Sequence, residues 1–304
     1  MSSVATEILV IGAGPGGAAV GWALAQAGHE VLMVDRATFP RDKTCGDGLT
    51  PRAIMTLRKM GALSHVEAAA PARIDATRIV GPFGLSATMP FAEYMQPGAE
   101  YALVIPRYQL DDILRRYAIR EGVQYLEPVR VKAFEREGDR ITQVHAAGPD
   151  GTLSICARHV VIATGASMGL LSREGLLKHK PHVIRAARAY YTGVPNTNRF
   201  DFFFDLELLP GYGWIFPTGD KTANIGIGVL PVFWSTRKST PRLLEEFIVR
   251  RQREELLNGA RLQGSIKSYP LRIDFPAQRV AGANWVIVGE ATGLVNPVTG
   301  EGID

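Results

Sequence analysis

The sequence predicts an α/β fold, a largely parallel sheet assembled from distant segments with an antiparallel α+β unit inserted into it. Three observations predict it. Short apolar runs ending at glycine, the mark of buried parallel strands, stand at 6–11, 159–165 and 284–293. Between them, residues 73–89 and 183–229 alternate with the two-residue period of half-buried antiparallel strands. The first 35 residues also compress a strand, a glycine-rich turn, a helix and a second strand into one βαβ unit.

Composition narrows the field. At about 150 residues per domain, 304 residues allow roughly two units. With 46% hydrophobic and 21% charged residues, the chain is an ordinary globular one and not a disordered one. The net charge is 34 − 30 = +4 with no run of like charges, so nucleic-acid binding finds no support. Cys45 and Cys156 lie far apart, which excludes a disulfide scaffold and fits a reducing compartment. The N-terminus lacks a basic leader, and Gly12, Gly14, Gly16, Gly17 and Gly21 cut residues 8–28, so no signal peptide or membrane-spanning helix is read there. A cytoplasmic protein, with peripheral membrane contact at most, is expected.

The elements follow in order. A buried strand at 6–11 leads into a small-residue helix over about 15–27 and a second strand, EVLMVD, at 30–35. Pro40, Gly46 and Gly48 make 36–50 a loop, and Pro51 opens a helix running to about Met60. Gly81, Pro82 and Gly84 fold 73–89 into a hairpin. Residues 108–121 form an amphipathic helix with Leu110, Ile113, Leu114 and Tyr117 on one face. Strands are expected at 129–136, 141–147 and 152–156, and another at 159–165. Aromatic-rich strands fill 183–229, a helix spans 241–257, and a last buried strand at 284–293 runs into a glycine-rich turn. This order assigns 1–72, 103–180 and 278–304 to one discontinuous unit and 73–102 and 181–277 to the other.

Gly12-Ala13-Gly14-Pro15-Gly16-Gly17 is a G-x-G-x-x-G between a strand and a helix, with Asp35 closing the next strand. Gly12 permits the tight turn, Gly14 lets a pyrophosphate approach the backbone, and Gly17 lets helix and strand pack closely. The helix start offers free N–H groups and the positive end of its dipole to phosphates. A carboxylate at Asp35 suits ribose hydroxyls and argues against an NADP 2′-phosphate. The motif therefore predicts a dinucleotide site, and alone it does not separate FAD from NAD.

Further segments resemble FAD enzymes of the aromatic-hydroxylase fold: Asp35-Arg36, the loop Lys43 to Leu49, Ile105 to Asp111, and GEATGLVNPVTGEGI at 289–303. Within that group the chain most resembles the geranylgeranyl reductase family, flavoenzymes that saturate isoprenoid double bonds. PRDKTCGDGLTPRA (40–53) is similar to that family's loop beside the flavin. PGYGWIFP (210–217) followed by Asn224-Ile225-Gly226-Ile227-Gly228 is similar to its Y-x-W-x-F-P and N-x-G-x-G blocks. The resemblance implies a Rossmann-like FAD-binding unit of aromatic-hydroxylase type, with the inserted unit holding substrate. It implies that Gly12, Gly14, Pro15, Gly16 and Gly17 hold the pyrophosphate, that Asp35 and Arg36 flank the adenosine, and that Cys45, Gly46 and Gly48 approach the isoalloxazine. Arg107 would meet the phosphate or ribityl region, Val131 the adenine, Glu290 a ribityl hydroxyl, and Gly300, Gly302 and Ile303 the flavin pyrimidine. Tyr212, Trp214 and Phe216 would line the substrate cavity. In the resemblance Gly300 to Gly302 open a helix, which the four residues after Gly300 are too few to form, so that helix and further ones are expected to continue beyond Asp304.

Bland readings stand beside these. Cys45 is either a small turn residue or a redox or acid group. Aromatics at i and i+2, such as Tyr212 and Trp214, share a strand face as core residues do. Arg36, Arg41, Lys43, Arg52, Arg58 and Lys59, interspersed with Asp35, Asp42 and Asp47, read by default as a solvated face. His179 and His182 pair without a third ligand, so no metal is expected. An isolated alkene has no carbonyl to polarise, so its reduction needs hydride, a proton donor and a dry apolar pocket. The external electron donor, NAD(P)H or a ferredoxin, is not encoded in any motif. A flavin monooxygenase or halogenase of the same fold is the competing enzyme, and a lipid carrier with a structural flavin is the competing non-enzyme.

Overall fold

The computed structural model describes residues 2–177, 179–230 and 238–303. β1 (Ser2–Ile11) runs into α1 (Pro15–Gln26) and β2 (Val31–Val34), the βαβ unit read from the glycine motif. A loop leads to β3 (Gly48–Leu49), α2 (Pro51–Met60), α3 (Leu63–Ala69) and β4 (Ala72–Ile74). Thr50 caps α2 with its side chain, Pro51 occupies the first turn, and left-handed Gly61 ends the helix. Next come the hairpin β5 (Ala76–Val80) and β6 (Ser86–Pro90), the single turn α4 (Phe91–Tyr94), and β7 (Ala102–Val104).

The amphipathic helix is α5 (Arg107–Arg120), which buries Leu110 and Leu114. β8 (Gln124–Leu126), β9 (Arg130–Glu137), β10 (Arg140–Gly148), β11 (Gly151–Ile162) and α6 (Gly169–Arg173) follow. The rest is β12 (Val183–Thr192), β13 (Arg199–Phe203), β14 (Tyr212–Gly219), β15 (Thr222–Val229), α7 (Thr240–Arg253), β16 (Arg261–Arg272) and β17 (Trp285–Ile287).

Two large sheets organise these elements. In the first the order is β8-β2-β1-β11-β10-β9, with β17 also on β11. The strands from β8 to β11 and β17 run parallel, and β10 and β9 continue antiparallel. The second sheet runs β16-β12-β15-β14-β13-β5-β6, antiparallel except between β13 and β5. β3, β7 and β4 make a small third sheet.

Two expectations change. The strands expected at 152–156 and 159–165 are one strand, β11. Its partner β1 is ten residues long, so the two pair in register from Ser2 with Leu153 to Ile11 with Ile162. α7 stops at Arg253, four residues earlier than expected, and Glu255 then adopts a left-handed backbone.

One face of the first sheet is covered by α1 and α5, whose Ala18, Leu110 and Leu114 pack with Val10 and Met33. α7 covers one face of the second sheet, burying Leu244 and Phe247 on Ile225 and Ile227. No helix among the described residues is long and apolar enough to cross a membrane.

The tightest contact in the first unit lies between the glycines. Gly12 has φ +111, and a Cβ on Gly17 would stand 1.8 Å from the Gly12 carbonyl oxygen. That oxygen is backbone and has no rotamer by which to move aside. Gly17→Ala is therefore expected to cost more than about 2 kcal/mol, a large single-site loss. Urea unfolding of the variant and the parent checks this, and equal midpoints would show that the turn relaxes freely.

Candidate functional site

A cavity of about 1620 Å³ is lined by residues of both large sheets. That exceeds the roughly 300–1,000 Å³ usual for a single small ligand, leaving room for a cofactor and a second molecule. Every candidate residue read from the sequence lines it except Gly17. Gly17 sits behind the turn, as its packing contact with Gly12 requires.

At one end the start of α1 forms a cradle. Its cap, Gly14, has no side-chain hydrogen bond, and no acidic residue stands in the first turn, so the N–H groups are open to an anion. A Cβ on Gly14 would meet the Arg41 guanidinium at 3.4 Å and, behind it, Asp111 Oδ2 at 4.0 Å. Asp35 is buried at the end of β2, where its two carboxylate oxygens accept the Ala13 and Ala37 N–H groups, each at 2.8 Å. Val131 lies on β9, the edge strand of the first sheet, and Arg36 lines the cavity from an exposed position.

Of the six basic residues read as a solvated face, Arg36, Arg52, Arg58 and Lys59 are exposed, while Arg41 and Lys43 are drawn into ion pairs at the cavity. Arg41 Nη2 is 3.0 Å from Asp111, which is fully buried. Arg107 grips the same carboxylate through two hydrogen bonds of 2.6 and 2.9 Å, one turn apart on α5. Burial works against charge on Arg107, but Asp111 and the Cys45 side chain beside it hold its pKa above the ordinary value. Lys43 pairs with Glu290 Oε2 at 2.9 Å. Glu290 Oε1 is buried without a hydrogen-bond partner, which leaves an acceptor waiting for a donor such as a sugar hydroxyl.

Asp47 departs furthest from its sequence reading. It is 1% exposed, with φ +66, and it stands at the centre of a hydrogen-bond network. Its carboxylate accepts from Tyr190 Oη, from Asn224 Nδ2 at 2.8 Å and from the Arg107 N–H at 3.3 Å. Asn224 Nδ2 also donates to the Cys45 carbonyl at 2.8 Å, and Asn224 Oδ1 accepts from Trp214 Nε1 at 3.0 Å. Arg188 anchors the same loop through Asp42 at 2.9 Å. The 42–48 segment is thus fastened to β12 and β15, and Cys45, half-buried and free, is carried into the cavity.

The two family-like blocks turn out to be facing strands. Tyr212, Trp214 and Phe216 on β14 pair with Gly228, Gly226 and Asn224 on β15. A Cβ on Gly226 would fall 2.2 Å from the Trp214 ring, so the glycine lets the indole lie flat on the neighbouring strand. Sequence reading missed Phe200 and Phe202 of β13, which extend the aromatic surface. Phe200 stands 4.4 Å and Phe202 5.3 Å from the Phe216 ring, centroid to centroid. Their i, i+2 spacing in RFDFF was the available signal.

The closing segment is a turn. Gly300 to Ile303 form no helix, and just before them the Asn296 side chain accepts the Val298 and Thr299 N–H groups and turns the chain back. Asp304 lies outside the described residues. Behind this turn, Arg272 and Asp274 form a buried pair, and Arg272 also donates to the Ala291 carbonyl, fixing the loop that bears Glu290.

Burial pushes the Asp47 carboxyl from 3.8 up to about 6, against the pull of its hydrogen bonds and of Arg188 and Arg107. A raised acid favours the folded state most below its unfolded value. That contribution is full below about pH 4, declines as pH rises through about 6, and is absent above. Relative to Asp47→Asn, which does not titrate, the parent should lose about 2–3 kcal/mol of stability between pH 4 and 7. Denaturant midpoints across that range check it, and parallel profiles for the two proteins would refute it.

Residues 5–171 match the family model for an FAD binding domain, and residues 185–260 match that for a geranylgeranyl reductase catalytic domain. The menaquinone reductase of Mycolicibacterium smegmatis is 34% identical over 98% of this chain and 73% of its own length. Digeranylgeranylglycerophospholipid reductase 1 of Methanopyrus kandleri is 29% identical over 98% and 76%. Among solved structures, a geranylgeranyl bacteriochlorophyll reductase-like protein of Thermoplasma acidophilum superposes with TM-score 0.84 at 21% identity, covering 99% of this chain and 75% of that one. The myxobacterial chondrochloren halogenase CndH shares the fold at 22% identity and TM-score 0.83, covering 99% and 71%. With FAD-binding and reductase matches that together reach from residue 5 to residue 260, the chain belongs to the geranylgeranyl reductase family of FAD-dependent oxidoreductases.

Proposed function

We propose that this chain reduces carbon–carbon double bonds in the isoprenoid chain of a lipid, with a glycerophospholipid or a quinone as headgroup. The observation that carries the reading is one cavity joining two unlike surfaces, a phosphate- and hydroxyl-ready cradle and an aromatic wall of Phe200, Phe202, Tyr212, Trp214 and Phe216. Each isoprene unit binds chiefly by apolar burial, which such a wall supplies and a polar-substrate pocket does not.

FAD, when bound, supplies the two-electron chemistry. The residues fit it. The α1 start and Arg41 suit the diphosphate, Asp35 the adenosine ribose, the open side of β9 at Val131 the adenine, and Glu290 Oε1 a ribityl hydroxyl. Cys45, Gly46 and Gly48 then form the floor of the reacting end, with Gly300, Gly302 and Ile303 opposite. In this reading the discontinuous unit of 1–72, 103–180 and 278–304 holds the cofactor, and 73–102 with 181–277 holds the substrate. The aromatic wall keeps water from the alkene and orients it. Cys45, beside the Arg107 guanidinium, is the chain's candidate for presenting a proton to the second carbon. Electrons come from an external donor, NAD(P)H or a ferredoxin.

The experiment bypasses that donor. Dithionite-treated holoenzyme is incubated without oxygen with geranylgeranyl glycerophospholipid or with menaquinone, and products are weighed by mass spectrometry. After reoxidation of any quinol formed directly by dithionite, products heavier by two hydrogens per reduced chain double bond are expected. Product formation only with oxygen would overturn the reading in favour of a monooxygenase or halogenase. Two variants separate the surfaces. Phe202→Ala should retain FAD and raise KM for the isoprenoid about tenfold or more, since it strips apolar contact without touching a hydrogen bond. Asp35→Ala should do the reverse, weakening FAD by about 1–3 kcal/mol. Loss of FAD from Phe202→Ala would place that ring in the cofactor's surroundings instead.

A further inference from the structure

The aromatic wall does not stop at the cavity. Across the second sheet, paired residues share a face. Gly226 pairs with Trp214, Trp214 with Phe202, Phe202 with Ile79, and Ile79 with Ala87. One strand step along, Phe200 pairs with Thr77, and Thr77 with Met89. At about 4.8 Å per strand, the row from Trp214 to the edge strand β6 covers about 14 Å and runs from inside the cavity to the outside. Thr77, Phe91 and Met95 line the cavity, while Ile79, Met89 and Met95 are partly open to solvent. One open edge of the cavity therefore lies at the base of the β5–β6 hairpin.

The hairpin itself is built unlike the rest of the surface. Gly81 and Leu85 close its turn through the Gly81 N–H and the Leu85 carbonyl, and Gly84 takes a left-handed backbone. This geometry holds Phe83 and Leu85 outward at 84% and 82% exposure. No charged residue occurs from Ile79 to Ala92 in a chain where one residue in five is charged. Tip aromatics and aliphatics without charges match hydrocarbon, not headgroups or a polar protein rim.

We propose that the β5–β6 hairpin is a bilayer-docking element. Phe83 and Leu85 insert among acyl chains, and the Met89–Thr77–Phe200 and Ala87–Ile79–Phe202 rows draw an isoprenoid chain from the membrane across the sheet to the cavity. This rests on the isoprenoid reading above for the cargo, though not for the docking. Because the tip carries no charge, attachment depends on apolar insertion and does not weaken as salt is raised.

The test uses FAD-loaded protein and the variant Phe83→Ser/Leu85→Ser, whose positions lie outside the cavity lining. Flotation with neutral phosphatidylcholine vesicles should show binding of the parent at low and high salt. The double variant should bind at least about tenfold more weakly, with an unchanged melting temperature and oligomeric state. Its reduction of detergent-dispersed geranylgeranyl lipid should match the parent, while reduction of vesicle-embedded lipid falls. Equal vesicle binding by both proteins overturns the proposal. So does a lowered melting temperature with unchanged vesicle binding, which shows the tip covered by protein, or a dimer lost in the variant, which shows a second copy as occupant. Lost vesicle binding without reduction of any isoprenoid by either protein would leave the docking standing and remove the isoprenoid reading.

Discussion

The side chain of Asn224 holds the site together. It is fully buried on β15, yet it reaches the Cys45 carbonyl and the Asp47 carboxylate in a loop from the other end of the chain, and it receives the Trp214 indole N–H. Both amide protons and the carbonyl oxygen are engaged, so the residue has one orientation that satisfies every partner. A buried polar network of this kind is costly when partly satisfied, and that cost forces loop and sheet into a single register. Cys45 to Gly48 are consequently pressed against the rings of Phe200, Trp214 and Phe216, and their glycines leave no side chain between.

Charge is distributed to the same end. Arg107, Asp111 and Arg41 form a triad, Lys43 meets Glu290, and Arg188 meets Asp42, and each of these groups has a member in the cavity lining. Buried pairs of this kind add little net stability, since desolvation consumes most of the Coulomb attraction. Their effect is positional. Asp111 consumes both arms of the Arg107 fork, leaving Arg41, the less buried cation, nearer the glycine cradle. Glu290 keeps one oxygen unspent. Tyr190, pushed above its ordinary range by burial and by Asp47, remains a proton donor to that carboxylate.

What could be read from the sequence followed from how local each constraint is. The glycine turn, α1 and Asp35 lie within 35 consecutive residues, and each demand on them is backbone-steric, so composition displays it directly. The period-two aromatics were legible as one strand face, and their agreement with a glycine-spaced block was legible as a pattern, but not that the two blocks face each other. Asp47 was misread because a charged residue among other charged residues looks solvated. Only the long-range partners Tyr190 and Asn224, more than 140 residues away, make its burial possible. Arg272 and Asp274 are neighbours in sequence, but nothing local shows that they are buried together beneath the loop of Ala291. The join of two expected strands into β11 was set by the length of β1, which no window around residues 156–159 contains.

The second sheet is graded from one edge to the other, and that gradient gives the site a direction. On its cavity face, Arg188 and Lys267 stand on β12 and β16, with Asp42 paired to both. Asn224 and the glycines follow on β15, the aromatic rings on β14 and β13, and uncharged Thr77, Ile79 and Met89 on β5 and β6. A molecule polar at one end and hydrocarbon along the rest gains contact in only one orientation across such a face. Reversing it would lay apolar chain over Arg188, whose Nε is already buried without a partner, and strand a headgroup among phenyl rings. Orientation is thereby settled by desolvation at both ends before any group near Cys45 takes part, and the strand order that places β5 and β6 last is what makes the gradient run outward.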